Sequence, residues 1–490
     1  MSVGQLLLLI AWLIDGDLKN KLITPFKNRV SLALLLLFLL HIAGLLYTTN
    51  YEYGLNDIRI KLPLLIIPLL LPGFKPLNKK EQLFLLKLIL AAVVIATLIC
   101  SGYYLLNKNN IVDYRDISLF ISHIRFSLMI VLSIFISLYL SSYYRSFFYL
   151  IPVMWLIGFL FVLQSFTGII IFLICLTVGI YYYLFRAHKK LFIVGFTILL
   201  MLITTFFAHF LKTQITSFYN PNAKAIQVPE YTEDGEKYYH DDYSHRSHLK
   251  ENGYYVLRNV AWKEIEEAWN KRSAFPYDSL DLKGQEIKET LIRFLSSKGV
   301  PKNKETVNAL TKEEQTAIEK GIPNYKYLKY NPIQKRIHQI IWEIDDYIHG
   351  GDYNGHSVIL RWIYWKTGWQ IFKDSFWTGV GTGDVEDVFF TYHKNLNPDL
   401  KSKYLNRAHN QYLTFAISFG IFGLLYFIYV MIFNFPIKNK PFFIVSFWLI
   451  AILSMVNEDT LETQAGVTFI AFYYCLFGLH FKDLKPKMFQ

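Results

Sequence analysis

Apolar runs long enough to cross a bilayer fill most of this chain and restrict what it can fold into. A spanning helix needs about 20 residues to cross roughly 30 Å of hydrocarbon, and about eleven runs approach that length. Hydrophobic residues make up 53% of the 490-residue chain. The chain is therefore predicted to be an all-α polytopic membrane protein with about 11 (10–12) transmembrane helices. The runs lie at 1–14, 30–49, 58–72, 82–106, 117–140, 146–163, 166–185, 191–211, 411–433, 441–456 and 464–481.

Two of these runs leave alternatives open. The runs at 1–14 and 58–72 are short for a span, and the second contains Pro63, Pro68 and Pro72. Proline interrupts helical hydrogen bonding. Either run is compatible with a tilted, broken or re-entrant segment.

Lysine and arginine residues between the runs predict the orientation, because cationic loops stay cytoplasmic. If every run is a span, five basic segments fall on one side and the N-terminus lies outside. The other side receives the acidic segment 458–462 and the polar stretch 212–356. This pattern predicts a multi-pass membrane protein with its large loop outside the cytoplasm. Inner-leaflet retention then explains the net charge of +12 without a nucleic-acid partner. The basic residues are Lys19, Lys21, Lys27, Arg29, Lys75, Lys79, Lys80, Arg186, Lys189, Lys190, Lys438, Lys440, Lys482, Lys485 and Lys487.

Three domains follow from the spacing of the runs. We expect an N-terminal membrane domain at 1–211 with about eight spans, an extracytoplasmic domain at 212–410, and a C-terminal membrane domain at 411–490 with three spans. The outer domain reads as helical, with amphipathic helices at 260–270 and 286–297 and a third helix opened by a capping box at Thr311 and Glu314. The extracytoplasmic domain also includes an amphipathic helix at 356–377.

Arg361 is the first candidate functional residue. It falls on the aromatic face of the helix at 356–377, beside Tyr364 and Trp365. A guanidinium on such a face is unfavourable unless an anion meets it, which points to an anionic ligand. The alternatives are an arginine whose head reaches water, or one stacked on Trp365.

His409 is the second candidate, because it comes just before the run that starts near Gln411. A helix N-terminus disfavours imidazolium, and Arg407 acts in the same direction. A neutral histidine can accept a proton from an attacking hydroxyl. The alternative is an interfacial histidine that only hydrogen-bonds to the helix end.

These residues and several motifs together resemble the O-antigen ligase and O-antigen polymerase membrane family. The resemblance implies transfer of a glycan from a polyprenyl diphosphate carrier to an acceptor at the outer face of the inner membrane. It also implies that His409 is the base and that Arg361 holds the diphosphate. The motifs are Gly379-x-Gly381-x-Gly383, His409-Asn410-x-x-Leu413, Phe419-Gly420-Ile421-Phe422-Gly423-Leu424-Leu425 and Asn457-Glu458-Asp459-Thr460 through Gly466.

Two departures from the family pattern matter. The family often has a Ser-Arg pair in the span before the outer loop, but 164–168 contains no arginine. An acidic residue often follows the His-Asn pair, but Thr414 stands after Leu413. We therefore predict Arg125 as the second diphosphate-binding arginine, because an arginine inside an apolar run is rare and usually functional. It lies a few turns from the outer surface, and an ion pair between spans is its alternative role.

The prediction is an inverting glycosyltransferase that needs no metal or cofactor, most similar to an O-antigen ligase. Its partners would be a polyprenyl diphosphate-linked glycan donor, a glycolipid or protein acceptor, and membrane lipids. Arg407, Asn410 and Trp365 are expected to support the site. An O-antigen polymerase, a protein O-oligosaccharyltransferase and a flippase for lipid-linked sugars remain alternatives.

Three further motifs are expected to be structural. The segment 379–383 should be a hinge, and Asp384, Glu386 and Asp387 should lie in a solvated loop. His240, His245 and His248 lack the carboxylate or thiolate support of a metal site.

Overall fold

The fold is built almost entirely from helices. A computed structural model of the chain describes residues 3–107, 111, 114–221, 223–224, 226–244, 246–433, 435, 440–481 and 484. Helices account for 71% of it, with almost no sheet, so the predicted helical class is confirmed. The chain divides into two compact units, Met1–Val194 with Arg361–Gln490, and Gly195–Leu360.

The first unit contains most of the apolar helices. Two long helices, α10 (Lys190–Tyr219) and α16 (Ser357–Asp374), run through the points where the chain passes between the units. The other helices of this unit are α1 (Val3–Ile14), α2 (Leu18–Lys27), α3 (Arg29–Gly44), α4 (Tyr51–Lys61), α5 (Pro63–Leu70), α6 (Lys79–Asn107), α7 (His123–Tyr144), α8 (Leu150–Val162), α9 (Phe166–Arg186), α17 (Val385–Leu396), α18 (Gln411–Phe433), α19 (Phe442–Asn457) and α20 (Gln464–Cys475).

Six helices of the described chain are long and apolar enough to cross a membrane. The predicted count of eleven is not confirmed. In the run at 58–72, Pro63 starts a separate helix of 8 residues, as expected for a residue that favours the first helical turn. The last run forms α20, of 12 residues, continued by a π-helix at Leu476–His480. The six are Arg29–Tyr47, Lys79–Asn107, His123–Tyr144, Phe166–Arg186, Lys190–Tyr219 and Gln411–Phe433; Val3–Ile14, Phe147–Val162 and Phe442–Asn457 are shorter apolar helices.

Helix α7 is the central element of the first unit. It packs against α6, α8, α9 and α19, and 78% of its apolar window is buried. In contrast, α10 buries none of its side chains although it is strongly apolar. An apolar helix with an exposed surface suits a lipid environment.

The second unit has a separate core around Trp269, Leu291 and Phe294. Its predicted helices are confirmed with shifts of one or two residues at their ends. The predicted capping box also forms, since Thr311 Oγ1 accepts from Glu314 N–H and the Glu314 side chain accepts from Thr311 N–H. The helices are α11 (Trp262–Arg272), α12 (Ile287–Lys298), α13 (Lys304–Asn308), α14 (Lys312–Glu319) and α15 (Pro332–Ile348), and two antiparallel pairs join β1 (Tyr239–His240) to β4 (Arg258–Val260) and β2 (Lys250–Glu251) to β3 (Tyr254–Tyr255).

Candidate functional site

A small apolar cluster joins α16, α17 and α18 and fixes the loop that leads into α18. Ala408, next to His409, is fully buried in it. Buried side chains that pack at this density leave little freedom to the backbone they carry. The cluster therefore sets the position of the loop residues that precede α18. Its members are Ile371, Phe372, Val385, Phe389, Ala408, Ala416 and Ile417.

The glycine-rich segment lies along a break in α18. Gly420 has φ 64° and ψ −162°, which interrupts the helix. The N–H of Val380 donates to the carbonyl of Ile417 at 2.9 Å, and that of Gly381 donates to Ser418 at 3.0 Å. Backbone groups freed inside an apolar helix need such partners. The segment predicted as a hinge is thus held by hydrogen bonds to the broken helix.

Asp384 corrects another expectation, because it is 8% exposed rather than part of a solvated loop. Its carboxylate accepts from the N–H groups of Thr49 and Asn50 at 2.8 Å each. It thereby ties the start of α17 to the residues that precede α4. Glu386 and Asp387 are exposed, as expected, but they lie in the first turn of α17 rather than in a loop.

His409 lies two residues before α18, where the sequence predicted it. Its backbone is left-handed, with φ 48°, which is uncommon for a residue other than glycine. The N–H of His409 donates to Asp459 Oδ2 at 3.0 Å, and Thr414 Oγ1 donates to Asp459 Oδ1 at 2.8 Å. Asp459 therefore holds the turn. No acidic residue follows the His-Asn pair in the sequence, but Asp459, from the loop between α19 and α20, brings a carboxylate to this turn.

Asn410 and Tyr364 complete the surroundings of the histidine. The side chain of Asn410 accepts from the N–H of Leu413 at 3.1 Å and caps the first turn of α18. The ring of Tyr364 lies 5.8 Å from the ring of His409, and its hydroxyl donates to the carbonyl of Tyr404 at 2.7 Å. The imidazole is thus placed against the aromatic face of α16.

Arg361 pairs with a carboxylate of the protein itself, and its predicted contact with an anionic ligand stays a prediction. Its Nη2 lies 3.4 Å from Glu458 Oε1, and its side chain is 33% exposed. Within the described chain, Arg361 Nε is buried without a hydrogen-bond partner. The same holds for the indole N–H of Trp365, one turn further along α16. Both groups have donor capacity that the protein does not use.

Arg125 lies in the first turn of α7, not a few turns inside a span, because the helix begins at His123. It interacts electrostatically with Glu458 and Asp459, and its Nε has no hydrogen-bond partner among the described residues. Arg125 also lines a cavity of about 480 Å³ whose other walls are mostly apolar. The remaining lining residues are Ile121, Leu128, Met129, Thr460, Gln464, Ala465, Gly466, Thr468, Phe469, Phe472 and Tyr473.

Glu458 is the residue at which the predicted site residues come together. Burial raises the pKa of its carboxyl, while His409, Arg361 and Arg125 all act in the opposite direction. Arg361 on α16 thus pairs directly with Glu458, while Arg125 on α7 and His409 before α18 act on it electrostatically. The sequence assigned the loop of Glu458, between α19 and α20, to the outer side and to the family motifs, but it gave Glu458 no role.

Arg407 belongs to a neighbouring buried charge network. Its guanidinium lies 2.9 Å from Glu462 Oε2 and donates to Tyr53 Oη at 2.7 Å. Lys61 also contacts Glu462, at 3.0 Å, and pairs with Asp57. Although burial favours its neutral form, Arg407 and Lys61 hold the pKa of Glu462 well below its usual range.

The charge that Arg407 was predicted to exert near His409 is offset, because Arg407 pairs with Glu462. His409 itself interacts electrostatically with Glu458 and Asp459.

Sequence reasoning missed the partners Glu458, Asp459, Glu462, Lys61 and Tyr53. A signal was present, since three acidic residues stand within five positions between two apolar runs. Carboxylates so close to apolar segments are unfavourable without cationic partners. The identity of those partners is not visible in the sequence.

Two of the three histidines singled out in the second unit, His240 and His248, are hydrogen-bonded within the protein. His240 Nδ1 accepts from Asn259 N–H at 3.3 Å, and His248 Nε2 lies 3.3 Å from Asp346 Oδ1. His245 lies outside the described residues. Among the residues that the structure describes, no group of three or more His, Cys, Asp or Glu side chains is arranged to hold a metal ion.

Comparison with known proteins matches one part of the chain to a family model. Residues 320–428 match the family model described as O-antigen ligase. The matched region includes Arg361, Trp365, Arg407, His409 and Asn410 and leaves out Arg125 and the acidic loop. No curated protein matches the chain. The match supports an O-antigen ligase-like family for this chain.

Proposed function

We propose that this protein transfers a glycan from a polyprenyl diphosphate to a hydroxyl group of a glycolipid acceptor, as an O-antigen ligase-like glycosyltransferase. The observation that carries the proposal is the pair of Arg361 with Glu458 at 3.4 Å, a carboxylate on which His409 and Arg125 also act electrostatically. A histidine beside two arginines combines a proton acceptor with groups that bind an anionic leaving group. The family match supports the same class of reaction.

In the proposed reaction, His409 accepts the proton of the acceptor hydroxyl as that oxygen bonds to the anomeric carbon. The bond between the anomeric carbon and the diphosphate oxygen breaks, and the polyprenyl diphosphate leaves. Attack from the face opposite the leaving group inverts the anomeric carbon. Arg361 and Arg125 neutralise the charge that develops on the diphosphate, with the planar geometry that suits phosphate oxygens. This role of the arginines makes a divalent metal unnecessary in the proposal.

The cavity beside Arg125 supports a lipid-linked donor. It measures about 480 Å³ and combines one guanidinium with an apolar lining from α7 and α20. Such a pocket suits a ligand with an anionic head and an apolar tail. We place the diphosphate at Arg125 and the start of the polyprenyl chain against the apolar wall.

The outward face of α16 supports a site at the membrane surface. Trp362 and Trp369 are 58% and 55% exposed, Trp377 just after the end of α16 is 65% exposed, and Lys366 and Lys373 lie exposed between them. Tryptophan and lysine are enriched where a protein meets the headgroup region. Together with the distribution of basic loops, this face supports an active site at the periplasmic side of the inner membrane, with 212–410 outside the cytoplasm.

Reconstituted transfer tests the proposal. The purified full-length protein receives a polymer-bearing lipid diphosphate and a glycolipid acceptor, with excess chelator present. We expect one glycan transferred per acceptor, loss of transfer in His409→Ala, and normal transfer in Glu52→Gln, an exposed acidic residue of the same unit. Strict dependence on added metal would contradict the role given to the arginines.

The products distinguish the rival functions. A polymerase would make longer lipid-linked chains without any acceptor, and a protein O-oligosaccharyltransferase would modify only a protein acceptor. A flippase would form no new glycosidic bond. Any of these outcomes would replace the ligase assignment.

A further inference from the structure

Glu458 stands where an anionic ligand of the two arginines would bind. Its carboxylate pairs with Arg361 at 3.4 Å, and Arg125 and His409 act on it electrostatically. The side chain is 11% exposed. Its contact with Arg361 is the only hydrogen bond of this carboxylate among the described residues, and it is long.

The neighbouring carboxylates are held more firmly. Asp459 accepts from the N–H of His409 and from the Thr414 hydroxyl, and Glu462 lies within 3.1 Å of donors on Lys61, Arg407 and Gln411. Glu458 is therefore the acidic side chain of this cluster that can leave its position at the smallest cost in hydrogen bonds.

The charges of the cluster are balanced when His409 is neutral. Each cation has a carboxylate to match it, so the empty site has no surplus positive charge for a diphosphate. Placing a further anion in a buried, balanced cluster is unfavourable unless an existing anion moves away. The cations are Lys61, Arg125, Arg361 and Arg407, and the carboxylates are Asp57, Glu458, Asp459 and Glu462.

We propose that Glu458 is a resident counterion that the donor diphosphate displaces from Arg361 and Arg125, and that its freed carboxylate then pairs with His409. The inference rests on the proposed function for the identity of the anion. While the site is empty, Glu458 neutralises the arginines. When the diphosphate takes its place, Glu458 stabilises the imidazolium that forms as His409 accepts the hydroxyl proton. Donor binding thereby prepares the base.

Binding of inorganic pyrophosphate to the purified full-length protein tests this inference without any glycan. Glu458→Gln removes the competing charge, so the dissociation constant should fall about tenfold, a change that corresponds to about 1.4 kcal/mol. Glu52→Gln makes the same change of charge at an exposed position and should bind as the wild type does. The transfer rate of Glu458→Gln should fall on the order of tenfold, because the imidazolium loses its partner.

A second variant covers the case in which Glu458→Gln fails to fold. Glu458→Asp keeps the charge but shortens the side chain by one methylene group, which draws the carboxylate back from Arg361. Pyrophosphate should bind it more tightly than it binds the wild type, though less tightly than a folded Gln variant.

Two negative results are distinguishable. If the wild type binds pyrophosphate and Arg361→Ala does not, while neither Glu458 variant binds more tightly, the counterion inference is overturned and the proposed function stands. If the wild type and the Glu458 variants all fail to bind pyrophosphate, both proposals fail.

Discussion

Glu462→Gln is the most direct test of the charge network that supports the site. Glu462 is shared by two buried cations, with Lys61 at 3.0 Å and Arg407 at 2.9 Å. Lys61 keeps Asp57 as a second anionic partner, but Arg407 keeps only the hydroxyl of Tyr53. The substitution therefore leaves the guanidinium of Arg407, with 17% of its side chain exposed, without a paired carboxylate.

The expected loss of stability is large for a substitution that only replaces a carboxylate oxygen with an amide nitrogen. Breaking a buried ion pair by removing one partner costs about 3–5 kcal/mol. At roughly 2 °C per kcal/mol, the melting temperature should fall by at least about 6 °C. The double variant Arg407→Gln with Glu462→Gln should lose less stability than Glu462→Gln alone, because it no longer contains the uncompensated charge of Arg407.

Tryptophan fluorescence during thermal unfolding in detergent measures these differences. Glu52→Gln serves as the control for an exposed carboxylate and should stay within about 0.5 kcal/mol of the wild type. A melting temperature of Glu462→Gln within about 1 °C of the wild type would refute the reasoning. The reasoning would also be refuted if the double variant lost as much stability as the two single variants together.

Four further outcomes are expected. His409→Ala should reduce transfer by about 10²–10⁴-fold with the protein still in the membrane, measured with the reconstituted enzyme; near-normal transfer would exclude a base at this position. Arg361→Lys should weaken pyrophosphate binding and turnover, because it keeps the charge but loses the planar fork; wild-type values would contradict diphosphate contact. A cysteine at Tyr243, fully exposed, should react with an impermeant maleimide outside intact cells and one at Asn20 should not; the three native cysteines are buried, and labelling at Asn20 alone would reverse the orientation. Burial lowers the pKa of Lys302 to about 7, so the unfolded chain binds more protons between about pH 7 and pH 10.5; stability against denaturant should rise with pH across that window, and Lys302→Met should remove the rise.

Local patterns determined the helical class and several element boundaries. The apolar runs predicted helices because side-chain composition and run length act within a segment. The capping box at Thr311 and the start of α18 after His409 were also predictable, since caps involve residues only three or four positions apart. The number of spans was not predictable. For a short or proline-containing run, packing against neighbouring helices decides how far the segment enters the membrane.

The partners of the site residues were decided by tertiary structure. Asp459 binds the N–H of His409 across 50 residues of sequence, and Glu458 meets Arg361 across 97. Arg125 acts electrostatically on the same carboxylate from the first turn of α7. The sequence placed this arginine too deep in its span. The sequence by itself determined which charged and polar groups are present and which segments are apolar. Only helix packing decided which charges pair, because the free energy of a buried charge depends on groups brought close by contacts distant in the chain.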